Sequence, residues 1–156
     1  MKQFFMEQSG SENKEKFIIK DRRGEETYTV ILNDLEEEHL LISDFKKNPV
    51  VLVKQKKGND QSQFAVLLDG ETAFYIEKDE TTSKLTASSD ELTIDGDLLD
   101  MTFDVMFGYR KVGKIRKRWI TSNDAYELTV FEDDRETALI GLLAVLNITI
   151  NLTKIA

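Results

Sequence analysis

The sequence predicts a mainly β domain, about twelve short antiparallel strands closed into a barrel that encloses one apolar helix near the C-terminus. Three observations lead to that expectation. Short segments in which β-branched or aromatic residues alternate with charged ones recur through the first 131 residues, the period-2 pattern of strands with one buried face. Most of these segments come in pairs around residues suited to tight turns. From residue 137 the alternation stops and a run apolar on every side takes over.

The elements follow in order. Residues 3–6 form a first strand, and the polar stretch 8–16 reads as a long loop after it. Segments 17–20 and 27–30 flank Asp21-Arg-Arg-Gly24, where the Asp can close an Asx-type turn and the Gly accepts a positive φ. The layout returns at 40–43 and 50–53 around a turn at 44–48, and at 64–68 and 73–76 around Asp69-Gly70, a strong short hairpin signal. It recurs at 102–106 and 111–115 around Gly108. Segments 84–87, 91–94 and 126–131 complete the dozen, the spacing of a sandwich or a closed barrel. The hairpins are too loosely alike to have a fixed repeat period, which disfavours a solenoid.

The acidic stretch Glu132-Asp-Asp-Arg-Glu136 suits a helix N-terminus, with Asp133 or Asp134 as the cap and the carboxylates at the positive end of the dipole. The helix is expected over about 134–148. Its apolar part, 138–146, is far shorter than the roughly 18 residues that span a bilayer, and Asn147 interrupts it. A helix apolar all round must then be buried in protein, and the inside of the barrel offers inward-pointing side chains to every face. Gly141 would allow one close approach.

Composition bounds the rest. At 156 residues the chain is read as one domain, 1–156, with a single proline and no low-complexity linker. The absence of cysteine excludes disulfides, thiolate zinc sites and a cysteine nucleophile, and with no apolar leader at the start the expected location is cytoplasmic. The sequons at Asn147 and Asn151 are read as coincidences on that basis. A net charge of -8 argues against a nucleic-acid partner, because phosphates repel an acidic body unless basic residues are segregated on one face.

Catalytic motifs are missing. His39 is the only histidine, which leaves no histidine-based metal cluster, and neither a phosphate-binding GxxxxGK[ST] loop nor GxGxxG occurs. Asp95, Asp97 and Asp100 could suggest an oxygen-lined calcium site, but without the EF-hand spacing they read as a turn between strands. Accordingly no catalytic residue, metal or cofactor is expected, and the chain reads as non-enzymatic.

The polar feature that stands out is Lys114-Ile-Arg-Lys-Arg-Trp119. On a strand, Lys114, Arg116 and Arg118 share one face and form a basic ladder, with Ile115 inward. Lys117 falls out of step, which implies a bulge or a position near the strand end where its ammonium reaches water. Two further basic sets, Lys54 with Lys56 and Lys57, and Lys46 with Lys47, would make one anion-attracting patch if they merged with the first. Each basic residue near an anionic bilayer contributes about 1 kcal/mol. The bland alternative is a set of solvated strand faces and edge guards. Trp119 is expected in the core rather than at a membrane interface.

The block Gly96-Asp-Leu-Leu-Asp100-Met-Thr-Phe103, then Gly113-Lys-Ile-Arg-Lys-Arg-Trp119, then Asp124-Ala-Tyr-Glu-Leu-Thr-Val130, followed by the acidic turn and apolar helix, resembles the LURP-one-related family. The resemblance covers residues 92–148 and, more weakly, the hairpin around Asp21-Arg-Arg-Gly24. It implies a twelve-stranded barrel around a hydrophobic C-terminal helix, the fold of tubby C-terminal domains and phospholipid scramblases. Tubby domains bind phosphoinositides and scramblases act at membranes, but a fold does not confer a function, and no binding residue is carried over.

The leading expectation is a non-enzymatic binding module that associates peripherally with an anionic lipid surface through Lys114, Arg116, Lys117 and Arg118. One rival is a soluble scaffold that meets protein partners and never lipid. Another is an enzyme whose site is a cavity with convergent polar groups. What separates the first two is whether the three basic segments fall on one face.

Overall fold

A computed structural model describes residues 1–8, 16–33, 39–57, 61–79, 84–88, 92–97, 102–118 and 125–155. Twelve strands appear where the alternation places them: β1 (Lys2–Gln8), β2 (Lys16–Asp21), β3 (Glu26–Asn33), β4 (His39–Asp44), β5 (Pro49–Lys57) and β6 (Gln61–Leu68). They continue as β7 (Glu71–Asp79), β8 (Lys84–Ser88), β9 (Leu92–Asp97), β10 (Thr102–Phe107), β11 (Arg110–Arg118) and β12 (Ala125–Val130). A 3₁₀ turn at Asp133–Arg135 leads into one helix, α1 (Glu136–Ile155).

All twelve strands belong to one sheet in the order β8-β7-β6-β5-β4-β3-β2-β1-β12-β11-β10-β9, and every pairing among the described residues is antiparallel. Among the described residues only the β1–β12 pairing joins strands distant in sequence, and it unites the β1–β8 and β9–β12 meanders in one sheet. The edge strands β8 and β9 lie beside each other, so the sheet curls into a nearly closed barrel.

Alternation decides which side chains turn inward. On β5, Val51 and Val53 are buried while Leu52 is half-buried and Lys54 exposed. The inward set meets α1, whose residues 139–147 are all buried, so the apolar run is enclosed by the barrel as its pattern demands. Burying each of the large aliphatic side chains Leu139, Ile140, Leu142, Leu143 and Leu146 contributes about 2 kcal/mol. Two glycines set the spacing between helix and wall. A Cβ on Gly141 would stand 2.8 Å from Val66 Cγ1 and 3.0 Å from Val51 Cγ1, and a Cβ on Gly113 would stand 2.8 Å from Leu139 Cδ2.

The start of the helix differs from the expected capping. Asp133 and Asp134 lie in the 3₁₀ turn, and no side chain caps that turn at Glu132. The helix begins at Glu136, whose carboxylate accepts from Lys2 Nζ at 2.9 Å and from the Tyr28 hydroxyl. This ties the first turn of α1 to β1 and β3. The Tyr28 hydroxyl is held protonated well above the usual tyrosine range by burial and then by Glu136, and the Lys2 ammonium is raised first by its bond to Glu136. At the other end the helix runs past Asn147 to Ile155. Asn147 does not interrupt it, since its backbone stays in the helical ladder and its side chain is buried within the barrel.

Asp95 and Asp97 belong to β9 rather than to a turn, and Asp100 lies outside the described residues. Among the described residues no helix is long and apolar enough to cross a membrane.

Candidate binding surfaces

Strand β11 resolves the basic motif by parity. Gly113, Ile115 and Lys117 turn inward, whereas Lys114 and Arg116 turn outward. The ladder with β12 is unbroken from Gly113↔Val130 to Arg118↔Ala125, so Lys117 sits in regular register opposite Tyr126 and is only 7% exposed. The strand does carry an irregularity, at Val112, where Val105 pairs with Gly113 and Met106 with Lys111. Of the two expectations for Lys117, a bulge or a place near the strand end, the structure shows the second: Lys117 is the penultimate residue of β11 and the bulge lies five residues earlier. The side chain is nevertheless largely buried rather than open to water. The Arg118 side chain and all of Trp119 lie outside the described residues.

The outside of this wall is ion-paired. Arg116 contacts Glu127 on β12 through Nη2 at 3.0 Å and donates to the same oxygen from Nε at 3.1 Å, while Gln3 Nε2 donates to the other carboxylate oxygen at 3.0 Å. The Arg116 side chain is 53% exposed and that of Glu127 only 5%, so the guanidinium neutralises a carboxylate it covers. Lys111 pairs with Asp104 at 2.8 Å, and Arg110 with Glu132 at 3.2 Å.

The other basic segments lie elsewhere. Lys54 is exposed on the outside of β5, and Lys56 and Lys57 follow it on the same strand with side chains outside the described residues. In the sheet order β5 and β11 are six strands apart whichever way the barrel is followed. They occupy opposite walls, and the three basic segments are not brought onto one face. The β5 wall carries an apolar row instead: Ile31, Leu41, Leu52 and Leu67 are consecutive register partners on the outside of β3 to β6. Ile31 and Leu41 are exposed, Leu52 and Leu67 half-buried, and Tyr75 on β7 is exposed nearby.

Connections alternate between the barrel ends, so the β2–β3 and β4–β5 turns are neighbours on one rim, separated by two strand spacings, roughly 10 Å. They are built alike. Asp21 Oδ1 accepts from the backbone N–H of Arg23 and Glu25, and Asp44 Oδ1 accepts from those of Lys46 and Asn48. Gly24 N–H donates to the Asp21 carbonyl at 3.0 Å and Lys47 N–H to the Asp44 carbonyl at 2.9 Å. The fourth position has positive φ in both, 82° at Gly24 and 66° at Lys47. Sequence reasoning found the turns and missed that they adjoin, because adjacency depends on the strand order.

Among the described residues Lys117 on β11, Tyr126 on β12 and Asn147 on α1 are buried. The Tyr126 hydroxyl has no hydrogen-bond partner among the described residues, and burial pushes it up to about 12. A cavity of about 110 Å³ opens at the helix N-terminal end between Phe74, Leu92, Val105 and Leu139, with Arg135 stacked 3.7 Å over the Phe107 ring at its mouth. That is below the few hundred Å³ of most small-molecule sites. No group of three or more potential metal ligands occurs among the described residues.

A family model described as LURP-one-related matches residues 2–147. The crystal structure of a protein from Arabidopsis thaliana is similar to this fold with a TM-score of 0.59 at 14% sequence identity, over 94% of this chain and 91% of that one. No curated protein matches the chain at a significant level.

Proposed function

Since the chain belongs to the LURP-one-related family, we propose that it is a non-enzymatic binding module that works through the outside of its barrel, with anionic phospholipid headgroups as its ligand class. The supporting observation is the filled interior: residues 139–147 of α1 occupy the barrel axis fully buried, which leaves the outer surface for recognition. The three basic segments do not merge into one patch, so on β11 the reading rests on Lys114, Arg116 and Arg118 alone. Arg116 offers only the part of its guanidinium that Glu127 does not hold, and Lys117 faces the core and adds no headgroup contact. Association is peripheral, on the cytoplasmic leaflet.

Co-sedimentation with vesicles tests it. The protein is expected to pellet with vesicles containing phosphatidylserine or phosphoinositide, not with pure phosphatidylcholine, and to be released as salt shortens the reach of its charges. Absence of binding to every vesicle would overturn the lipid reading. The apolar row Ile31, Leu41, Leu52 and Leu67 supports a second reading, a protein-interaction domain, because exposed contiguous apolar surface marks binding sites.

A further inference from the structure

The geometry points to the paired β2–β3 and β4–β5 turns, rather than β11, as the place where the barrel meets an anionic bilayer; this rests on the lipid reading above. The corner positions of the two turns carry Arg22, Arg23, Phe45 and Lys46, followed by Lys47, and all five are exposed. Phe45 is 70% exposed at the tip, with the Lys46 ammonium 5.6 Å from its ring centroid. An apolar ring held out at a rim beside cations can enter the acyl boundary while the cations meet the headgroups.

Carboxylates are not absent from these turns, but they are placed differently. Asp21 and Asp44 sit at the bases with an oxygen committed to backbone N–H groups, and Glu25 and Glu26 lie on the strand side of the first turn. The tips are cationic, and among the described residues no carboxylate is within ion-pair distance of Arg22, Arg23, Lys46 or Lys47. On β11, by contrast, Arg116 is already paired. The two sister turns add a second argument. Where the first uses Gly24 for its left-handed position, the second holds Lys47 at a φ that L side chains adopt rarely. The rim is also polarised: its other half presents Asp69, Glu71, Asp133 and Asp134, all exposed, which an anionic surface repels, while Arg110 and Lys111 beside the exposed Tyr109 are paired with Glu132 and Asp104. The barrel would therefore dock tilted onto the basic half.

The test compares three proteins in co-sedimentation with phosphatidylcholine vesicles and with phosphatidylcholine–phosphatidylserine vesicles. The turn variant is Phe45→Ser with Lys46→Gln and Lys47→Gly, the last of which gives the turn the residue its sister uses. The strand variant is Lys114→Gln with Arg118→Gln, which keeps the Arg116–Glu127 pair. Unchanged thermal unfolding confirms that each variant is folded. The expected result is at least tenfold weaker binding to anionic vesicles for the turn variant, with the strand variant within about twofold of wild type. A turn variant that binds like wild type overturns the inference. If the strand variant alone loses binding, the lipid reading stands and β11 is its site. If wild type binds no vesicle, both fall and a protein partner takes their place.

Discussion

The β5–β6 wall and the β11–β12 wall both touch α1 through a glycine, but the glycine is on opposite partners. Against β5 and β6 it is the helix that is trimmed, at Gly141, so that Val51 and Val66 can close in. Against β11 it is the sheet that is trimmed, at Gly113, so that Leu139 fits into the gap. Outside, the two walls diverge further: one carries the apolar row from Ile31 to Leu67, the other the Gln3–Glu127–Arg116 network and the Lys111–Asp104 pair. The inner faces must match one helix and are constrained by shape, while the outer faces answer only to solvent and partners and are free to differ.

The largest effect should come from breaking the inner match. Gly141→Leu has rigid valine methyl groups on two strands in its way and should cost about 3 kcal/mol in chemical denaturation. Gly113→Ala meets the end of the Leu139 side chain, which can rotate, and should cost about 1 kcal/mol. With Ala at both positions, so that each gains one methyl, equal costs would show that the two contacts are equivalent.

Next comes the alkaline limb of stability. Tyr126 keeps its proton in the folded state up to about 12 because its hydroxyl is buried, whereas the unfolded chain releases it near 10.0. The folded state then holds more protons between those values, so stability falls as pH rises through that window, by about 1.4 kcal/mol per pH unit for this group, and is complete below it. Tyr126→Phe should flatten part of that slope. At neutral pH it should leave stability within about 0.5 kcal/mol of wild type, because the hydroxyl has no partner to lose among the described residues. Urea midpoints measured across the alkaline range decide it.

The smallest effect concerns the ionic outer face. Arg116→Ala uncovers an almost buried carboxylate and should cost about 1 kcal/mol, reduced from the cost of a buried pair because the arginine is half exposed. Glu127→Gln keeps the shape and an acceptor oxygen for Arg116, its new amide nitrogen can donate to Gln3 once that amide turns round, and it should cost less. The reverse order would mean that the carboxylate, not its cation, is the dispensable partner.

Much of the architecture was legible because alternation is a local signal. All twelve strands fall where β-branched and charged residues alternate, and the Asp69-Gly70 hairpin has both residues at positive φ, as its sequence suggests. The helix bounds were read less well: a helix over about 134–148 was expected, whereas α1 starts at Glu136 after a 3₁₀ turn and continues to Ile155, past the end of the apolar run. Lys117 illustrates the limit at the level of a single residue. Its charge suggested either a bulge or a place near the strand end with the ammonium in water; it does lie one residue from the end of β11, but the regular ladder with β12 turns it inward and buries it.

By itself the sequence determined the strand periodicity, the turn chemistry at Asp21 and Asp44, and the need of the apolar run for an all-round cover, since each depends on residues close together in the chain. Only the tertiary structure decided which strands become neighbours. That order sets Lys54 and Lys114 on opposite walls, gives Arg116 its partner on β12, and brings the Arg22–Arg23 and Phe45–Lys46–Lys47 turns side by side. The first of these needs the pairing of β1 with β12, a contact between strands far apart in the chain that no local pattern encodes. The other two need each strand to lie beside its neighbour in sequence, which alternation permits but does not impose.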